Sequence, residues 1–332
     1  MIFPFFSGIL SFSKAPVTWM IFLVNFIVYL VTSQNVGVSQ VDLEKIIINP
    51  VFSETQGYVF AQYIDANRDR YPASLHTMAA AALRPGEQNK KMLLGGMSLR
   101  DDNFLDDIDT FEFKGDPILI GWWREQFEKV QNIRKEHPSY NLGVTKSKNN
   151  LEQWLSYQFS HSGMSHFAGN MIFLLLFGSQ LELVIGGVGL LVSYLISGIF
   201  AALAFLYFNQ ASAIPLIGAS GAVSGVMAML SVVFWNRGVK YIFFLLIPKR
   251  GYAGFVFLPA WVTLILWLLS DFAGYLSTPS ELGGVAYSAH LGGELCGAIM
   301  GFVFLLICRV YKKEINEKTT GIEIKPIFTT QT

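Results

Sequence analysis

The sequence predicts an all-α membrane protein with six transmembrane helices and a long, water-soluble insertion between the first two. Three observations predict this class. Of the 332 residues, 52% are hydrophobic and only 14% are charged, whereas soluble domains carry roughly 25% charged residues. The chain contains six apolar segments that approach the length of about 20 residues needed to cross a bilayer. Its charges are concentrated in one stretch, which separates the first apolar segment from the other five.

The six apolar segments define the predicted helices. They span residues 16–32, 164–181, 187–208, 220–235, 254–276 and 289–309. The first segment has the position of a signal peptide, but Asn25, its bulky side chains and the lack of a small-residue cleavage site favour a retained helix. The fourth segment is short, and the Gly-, Ala- and Ser-rich stretch before it predicts a non-helical entry. Such backbone is tolerated at membrane depth where it is buried in protein or lines a cavity.

Charge divides the chain into four parts. Residues 33–150 contain 14 Lys or Arg and 16 Asp or Glu, which leaves only 18 of the 48 charges for the other 214 residues. We therefore predict a cytoplasmic tail and first helix over 1–32, and an extracytoplasmic insertion over 33–150. A core of helices two to six follows over 151–310, with a cytoplasmic tail over 311–332.

The remaining lysines and arginines orient the bundle, because short cytoplasmic loops carry an excess of positive residues. Outside the insertion they lie in the N-terminal tail, after the fourth helix and at the C-terminal end: Lys14, Arg237, Lys240, Lys249, Arg250, Arg309, Lys312, Lys313, Lys318 and Lys325. We expect these three regions to be cytoplasmic and the insertion to be on the opposite side. The net charge of zero argues against a nucleic-acid-binding protein, because such proteins carry an excess of lysine and arginine. The six-helix layout without a transit peptide favours a bacterial inner membrane.

One amphipathic helix is predicted inside the insertion. Asp116 and Pro117 are a favourable helix start. Apolar residues then recur at helical spacing at Ile120, Trp123, Phe127, Val130 and Ile133. This helix either lies on the bilayer or the bundle, or forms the core of a small domain, and the pattern supports both interpretations equally.

Polar residues within the apolar segments are functional hypotheses, because each costs a few kcal/mol in hydrocarbon. Ser220 stands between Gly218 and Gly221 where the fourth helix begins. Free N–H groups at a helix start can stabilise an oxyanion, which suits a nucleophilic serine. The alternative is that these small residues serve only close helix packing.

His290 begins the sixth helix, on the same predicted side of the membrane as Ser220. Gly293 and Gly297 follow on its side of the helix, and such small-residue stripes let two helices approach closely. A neutral histidine beside a serine hydroxyl is the minimum for general-base activation of a nucleophile.

A third cluster begins the second helix. His166 and Asn170 are four residues apart, so they share a helix face and can both donate hydrogen bonds to an oxyanion. The alternatives are a metal pair and structural polar residues whose hydrogen bonds are satisfied. A metal pair is disfavoured because His161 and His166 are about 140° apart around a helix, and no His-Glu-x-x-His motif is present. We predict neither a metal nor a cofactor.

Together these clusters resemble the rhomboid family of intramembrane serine proteases. The resemblance covers all six helices, residues 16–32 and 151–310. It is carried by His161, His166 and Asn170, by Gly218-Ala219-Ser220-Gly221, by Ala289-His290-Leu291-Gly292-Gly293, and by Glu182 at the end of the second helix.

The resemblance implies a catalytic dyad. Ser220 would be the nucleophile that forms an acyl-enzyme, and His290 the general base and then the general acid. His166, Asn170 and the backbone N–H of Ser220 would form the oxyanion hole. The family cleaves single-spanning membrane proteins in or near the bilayer, so the implied partners are transmembrane substrates and lipid.

Three features depart from the family: the leucine that follows Trp154 where the family often has arginine, Ser224, and the long insertion. Ser224 stands where many members have an aromatic residue, and its hydroxyl would hold a water or contact the imidazole. Glu294 lies one turn beyond His290, either as a structural carboxyl or as a third group that supports His290 through water. We interpret Asp271 as a polar group at a helix end. The insertion exceeds the family's usual first loop, and its position above the site suggests substrate capture or gating.

Two other functions compete with proteolysis. A catalytically silent relative would bind membrane proteins, but it need not keep Ser220, His290, His166 and Asn170 together. A transporter or channel lined by His and Asn would have inverted repeats and charged pathway residues, which the sequence does not show.

Overall fold

The computed structural model describes residues 2–4, 12–33, 45–146, 149–209, 214–244, 253–277, 285–311 and 324–326, and most of these residues are helical. The helices are α1 (Pro16–Ser33), α2 (Pro50–Ala66), α3 (Ala73–Ala82), α4 (Gln88–Ser98), α5 (Asp102–Asp107), α6 (Pro117–Glu136), α7 (Pro138–Leu142), α8 (Leu151–Ser156), α9 (Met164–Phe173), α10 (Ser179–Phe208), α11 (Ser220–Val233), α12 (Ala260–Ser277) and α13 (Tyr287–Val310). The strands are β1 (Ile2–Pro4), β2 (Arg237–Phe244), β3 (Ala253–Pro259) and β4 (Ile324–Pro326).

Within the described residues, four segments are long and apolar enough to cross a membrane. They are Pro16–Ser33, Met164–Phe208, Ala260–Ser277 and Tyr287–Val310, and the shorter α11 is also apolar. The helical bounds at the first, fourth and sixth predicted segments agree with the sequence-based bounds to within two residues.

The 45-residue segment Met164–Phe208 reverses direction at Gly186. A straight helix would separate Met164 from Tyr194 by about 45 Å, yet the Tyr194 hydroxyl donates a hydrogen bond to the Gln158 carbonyl at 3.2 Å. Gly186 has φ 80° and ψ 164°, which no helical residue adopts, and a positive φ favours glycine. The predicted second and third helices therefore lie on either side of this residue.

The prediction for the fifth segment was wrong over its first residues, and the chain is not all-α. Residues 253–259 form β3, which pairs antiparallel with β2 from Gly238 opposite Pro259 to Phe244 opposite Ala253. A short apolar run fits a strand as well as a helix, and aromatic and β-branched residues such as Phe255 and Val256 favour the strand. Pro259 has no N–H to donate, and α12 begins directly after it.

The sheet brings three distant parts of the chain together. β1 and β4 both pair antiparallel with β2, along the edge that β3 leaves open. β1 and β4 therefore both meet the segment after α11. From the distribution of lysine and arginine we predict that these three regions are cytoplasmic, and their side of the membrane stays a prediction. Five of the cations used for that prediction lie outside the described residues: Lys249, Arg250, Lys312, Lys313 and Lys318.

The insertion contains a small helical domain with its own core. Asp116 caps α6 by accepting a hydrogen bond from the Ile118 N–H at 2.9 Å. The buried face of α6 contributes to a cluster with α2, α4 and α5 that includes Phe52, Val59, Phe60, Leu94, Phe104, Trp123, Phe127 and Val130. This packing identifies α6 as a core helix of a domain, which decides against the alternative of a helix lying on the bilayer.

Candidate active site

Helices α11 and α13 pack with their backbones in contact. A Cβ atom on Gly293 would overlap the carbonyl oxygen of Gly221, and one on Gly297 would overlap the carbonyl oxygen of Gly225. Only glycine permits this approach. Because Gly221 follows Ser220 and Gly293 follows His290 by three residues, the contact brings the two predicted catalytic residues to the same level of the bundle.

The loop before Ser220 is held in one conformation. Gly218 has φ +113°, and a Cβ atom there would lie 2.7 Å from Nε2 of His166, so this position needs glycine. The Gly218 N–H donates to the Tyr157 carbonyl at 2.9 Å, and the Ala219 N–H donates to Nε2 of His161 at 3.4 Å. His161 therefore supports the backbone that carries the serine.

His166 and Asn170 lie on the face of α9 that faces this loop. Nδ1 of His166 is 3.1 Å from the Ser162 hydroxyl, which leaves Nε2 toward Gly218. The Asn170 side chain is buried, and its Nδ2 donates to the His166 carbonyl at 2.9 Å. An amide nitrogen has two N–H groups, so one donor of Asn170 is engaged within its own helix.

His290 has a carboxylate partner that the sequence analysis did not assign. Nδ1 of His290 lies 3.1 Å from Oδ2 of Asp271, and each side chain is 16% exposed. Asp271 is six residues before the end of α12, so its interpretation as a helix-end group was wrong. An acidic residue inside an apolar helix needs a polar partner, and this was the signal in the sequence. The partner itself could not be identified, because Asp271 and His290 lie on different helices with no fixed spacing between them.

Glu294 lies one turn beyond His290 on α13, and it lines the same cavity as Asp271 and His290. Its side chain is 2% exposed, and its buried Oε2 atom has no hydrogen-bond partner among the described residues. The imidazole of His290 contacts the Asp271 carboxylate.

One cavity connects the predicted site residues. It has a volume of about 1460 Å³, and its lining includes Ser220, His290, His166, Asn170, Ser224 and Glu294. The insertion domain supplies part of the wall through Arg100, Val130, Ile133 and Arg134. The cavity thus extends from the serine to the insertion. In the part of the chain that the structure describes, no group of three or more His, Cys, Asp or Glu side chains is arranged to hold a metal.

Glu182 lies away from this cavity. Its carboxylate accepts hydrogen bonds from the backbone N–H groups of Val17 at 2.9 Å and Thr18 at 2.7 Å, and from the Thr18 hydroxyl at 2.7 Å. A helix start has unpaired N–H groups that a carboxylate can satisfy. Glu182 therefore fastens α1 to the bundle.

Comparison with known proteins agrees with this geometry. Residues 148–307 match the family model described as the rhomboid domain. The chain is 34% identical over 147 residues to RHOMBOID-like protein 1 of Arabidopsis thaliana, covering 44% of this chain and 32% of the relative. It is 29% identical over 148 residues to the mitochondrial Rhomboid protein 1 of Saccharomyces cerevisiae. These residues cover 43% of this chain and 39% of the relative.

A bacterial protein is similar over a stretch of comparable length. Rhomboid protease GlpG of Yersinia pestis is 26% identical over 152 residues, which cover 45% of this chain and 47% of the relative. The chain thus spans less than half the length of each of these relatives. With its apolar helices and its matching domain, it is an integral membrane protein whose residues 148–307 form a domain of the rhomboid family.

Proposed function

We propose that this protein is an intramembrane serine endopeptidase that cleaves single-spanning membrane proteins in or near the bilayer. The observation that carries the proposal is the shared cavity of Ser220 and His290, on two helices whose backbones touch at Gly221 and Gly293. Ser220 begins a helix, where free backbone N–H groups favour developing negative charge. A serine nucleophile with a histidine as its general base is one of the pairs that catalyse acyl transfer.

In the proposed reaction, Ser220 Oγ attacks the carbonyl carbon of the scissile peptide bond. The hydroxyl proton passes to Nε2 of His290, whose Nδ1 is engaged with Asp271. His166, Asn170 and the Ser220 N–H donate to the oxyanion. Collapse of the tetrahedral intermediate that bears this oxyanion breaks the peptide C–N bond and releases the amine, which takes the proton from His290. Water, activated by the same imidazole, then hydrolyses the acyl-enzyme.

We propose six membrane crossings, with Met164–Phe208 crossing twice and α11 as the fourth. The cavity then opens toward the side that carries the insertion, and both chain ends lie in the cytoplasm of a bacterial cell, with the bundle in its inner membrane. The insertion domain forms part of the cavity wall, which supports a role in capturing or gating the substrate.

The experiment uses the purified full-length chain in proteoliposomes with a panel of single-spanning reporter proteins. We expect a defined cut by the wild type, which Ser220→Ala abolishes, and labelling of Ser220 by a fluorophosphonate probe. Wild-type protein that cuts no reporter and is not labelled would refute the proposal. Stable co-isolation of an uncut reporter would then favour a catalytically silent binding protein.

A further inference from the structure

We propose that Asp271 is a positioning residue that extends the Ser220–His290 pair to a triad. This inference rests on the proposed proteolytic function. It starts from the 3.1 Å contact between Nδ1 of His290 and Oδ2 of Asp271, which joins α13 to α12.

The contact is built into the packing of the two helices. One turn after Asp271, a Cβ atom on Gly274 would overlap the aromatic ring of Tyr287. The Tyr287 ring in turn packs edge-on against the His290 imidazole, with 6.2 Å between ring centroids. Glycine at 274 therefore lets α12 approach the start of α13, where the carboxylate of Asp271 meets the imidazole.

A carboxylate at Nδ1 fixes what His290 can do at its other nitrogen. With its Nδ1–H donated to Asp271, the neutral imidazole presents a lone pair at Nε2. When the Ser220 Oγ–H bond breaks and the Oγ–carbon bond forms, the proton moves to Nε2. The resulting imidazolium is stabilised by the neighbouring negative charge, and more strongly at low dielectric than in water. Asp271 neither gains nor loses a proton in this step.

Glu294, one turn beyond His290 on α13, is buried and lines the same cavity as Asp271 and His290. Among the described residues, the charged or titratable groups around the imidazole are Asp271 from α12, His166 from α9, and Tyr287 and Glu294 from its own helix.

The first test is Asp271→Asn in the full-length chain, assayed with a reporter that the wild type cleaves. Asparagine is nearly isosteric but carries no charge. We expect kcat to fall by about 10²- to 10⁴-fold, KM to change less than threefold, and fluorophosphonate labelling of Ser220 to slow in parallel. Asp109→Asn makes the same change at an exposed position of the insertion and is expected to leave both rates unchanged.

A further substitution separates charge from packing. Asp271→Glu keeps the charge and should be more active than Asp271→Asn, although it is larger.

The outcomes distinguish the two proposals. If the wild type cleaves and Asp271→Asn keeps kcat within threefold, the positioning role is overturned and the protease assignment stands. The same conclusion follows if Asp271→Glu is less active than Asp271→Asn. A loss that appears in KM or in the melting temperature with kcat unchanged also overturns it. Wild type that neither cleaves nor reacts with the probe overturns the proposed function and this inference together.

Discussion

Val144 and Leu216 exchange two backbone hydrogen bonds, from the Val144 N–H to the Leu216 carbonyl at 3.1 Å and from the Leu216 N–H to the Val144 carbonyl at 2.8 Å. Val144 is near the end of the insertion, and Leu216 is four residues before Ser220. The insertion is therefore tied by its backbone to the loop that carries the proposed nucleophile.

Replacing Val144 by proline tests this connection. Proline has no N–H and cannot donate to Leu216, so we expect the loop before Ser220 to loosen and kcat to fall at least tenfold. Val144→Ala is the control, because it shortens the side chain and keeps both backbone hydrogen bonds. Reporter cleavage and fluorophosphonate labelling measure the effect, and equal rates for the two variants would contradict the prediction.

The close contact of α11 and α13 at glycine residues predicts that a larger side chain there destabilises the protein. Gly297→Ala places a Cβ atom on the Gly225 carbonyl, and overpacking of this kind costs about 1–3 kcal/mol. We expect a lower melting temperature for the purified chain and lower turnover, since the helices that carry Ser220 and His290 must separate.

Gly121→Ala is the matched control for that substitution. Gly121 lies in α6, and nothing stands within 4 Å of the position of its Cβ. Alanine is favoured over glycine in a helix by about 0.5–1 kcal/mol, so this variant should be as stable as the wild type or more so. Similar destabilisation by both alanines would mean that the contact at Gly225 does not matter.

The two side chains proposed for the oxyanion hole should not contribute equally. Removal of one such donor costs about 10²- to 10³-fold in kcat, and we expect His166→Ala to fall in that range. Asn170→Ala should cost less, because Nδ2 of Asn170 already donates to the His166 carbonyl. Single-turnover cleavage rates of the two variants test this order, and a larger loss at Asn170 would reverse the assignment.

The insertion domain should lose stability as the pH rises. Burial, and secondarily the nearby Asp106, raise the pKa of Asp102 from 3.8 to about 7. The folded domain therefore binds more protons than the unfolded chain between about pH 4 and pH 7, and its stability falls across that interval. Hydrogen exchange of the α5 amides at pH 5 and pH 8 measures this change.

Asp102→Asn should remove that dependence. The amide carries no charge to bury, and an unsatisfied buried carboxylate costs about 1–3 kcal/mol or more, so the variant should exchange more slowly than the wild type at pH 8. Asp109→Asn, at an exposed position, should leave the pH dependence as it is. An unchanged pH dependence in Asp102→Asn would assign the effect to another group.

The sequence predicted those parts of the structure that depend on local pattern. Hydropathy placed the helices that begin at Pro16 and Ser220 because a continuous apolar run is a local property. The motifs around Ser220 and His290 predicted residues that line one cavity, since each motif marks a helix start on the same side of the bundle.

What the sequence did not predict depends on tertiary contacts. Asp271 meets His290 only because α12 and α13 pack together at Gly274, and no periodicity encodes a contact between two different helices. The apolar run at Phe255 is a strand because β2 offers a pairing edge. The amphipathic pattern of α6 fits a membrane surface as well as a domain core, and only the packing of Trp123 against the rest of the insertion distinguishes them.

The edge of β2 has a consequence for the order in which the chain folds. β1 and β4 lie along one edge in the same direction, with Pro4 opposite Tyr241 and Ile324 opposite Val239. They act as a single edge strand assembled from segments about 320 residues apart in sequence. Contacts between such distant segments form late, because they require the largest loop closure. Because the chain is synthesised from its N-terminus, the part of β2 that pairs with β4 stays unpaired along this edge until residues 324–326 leave the ribosome.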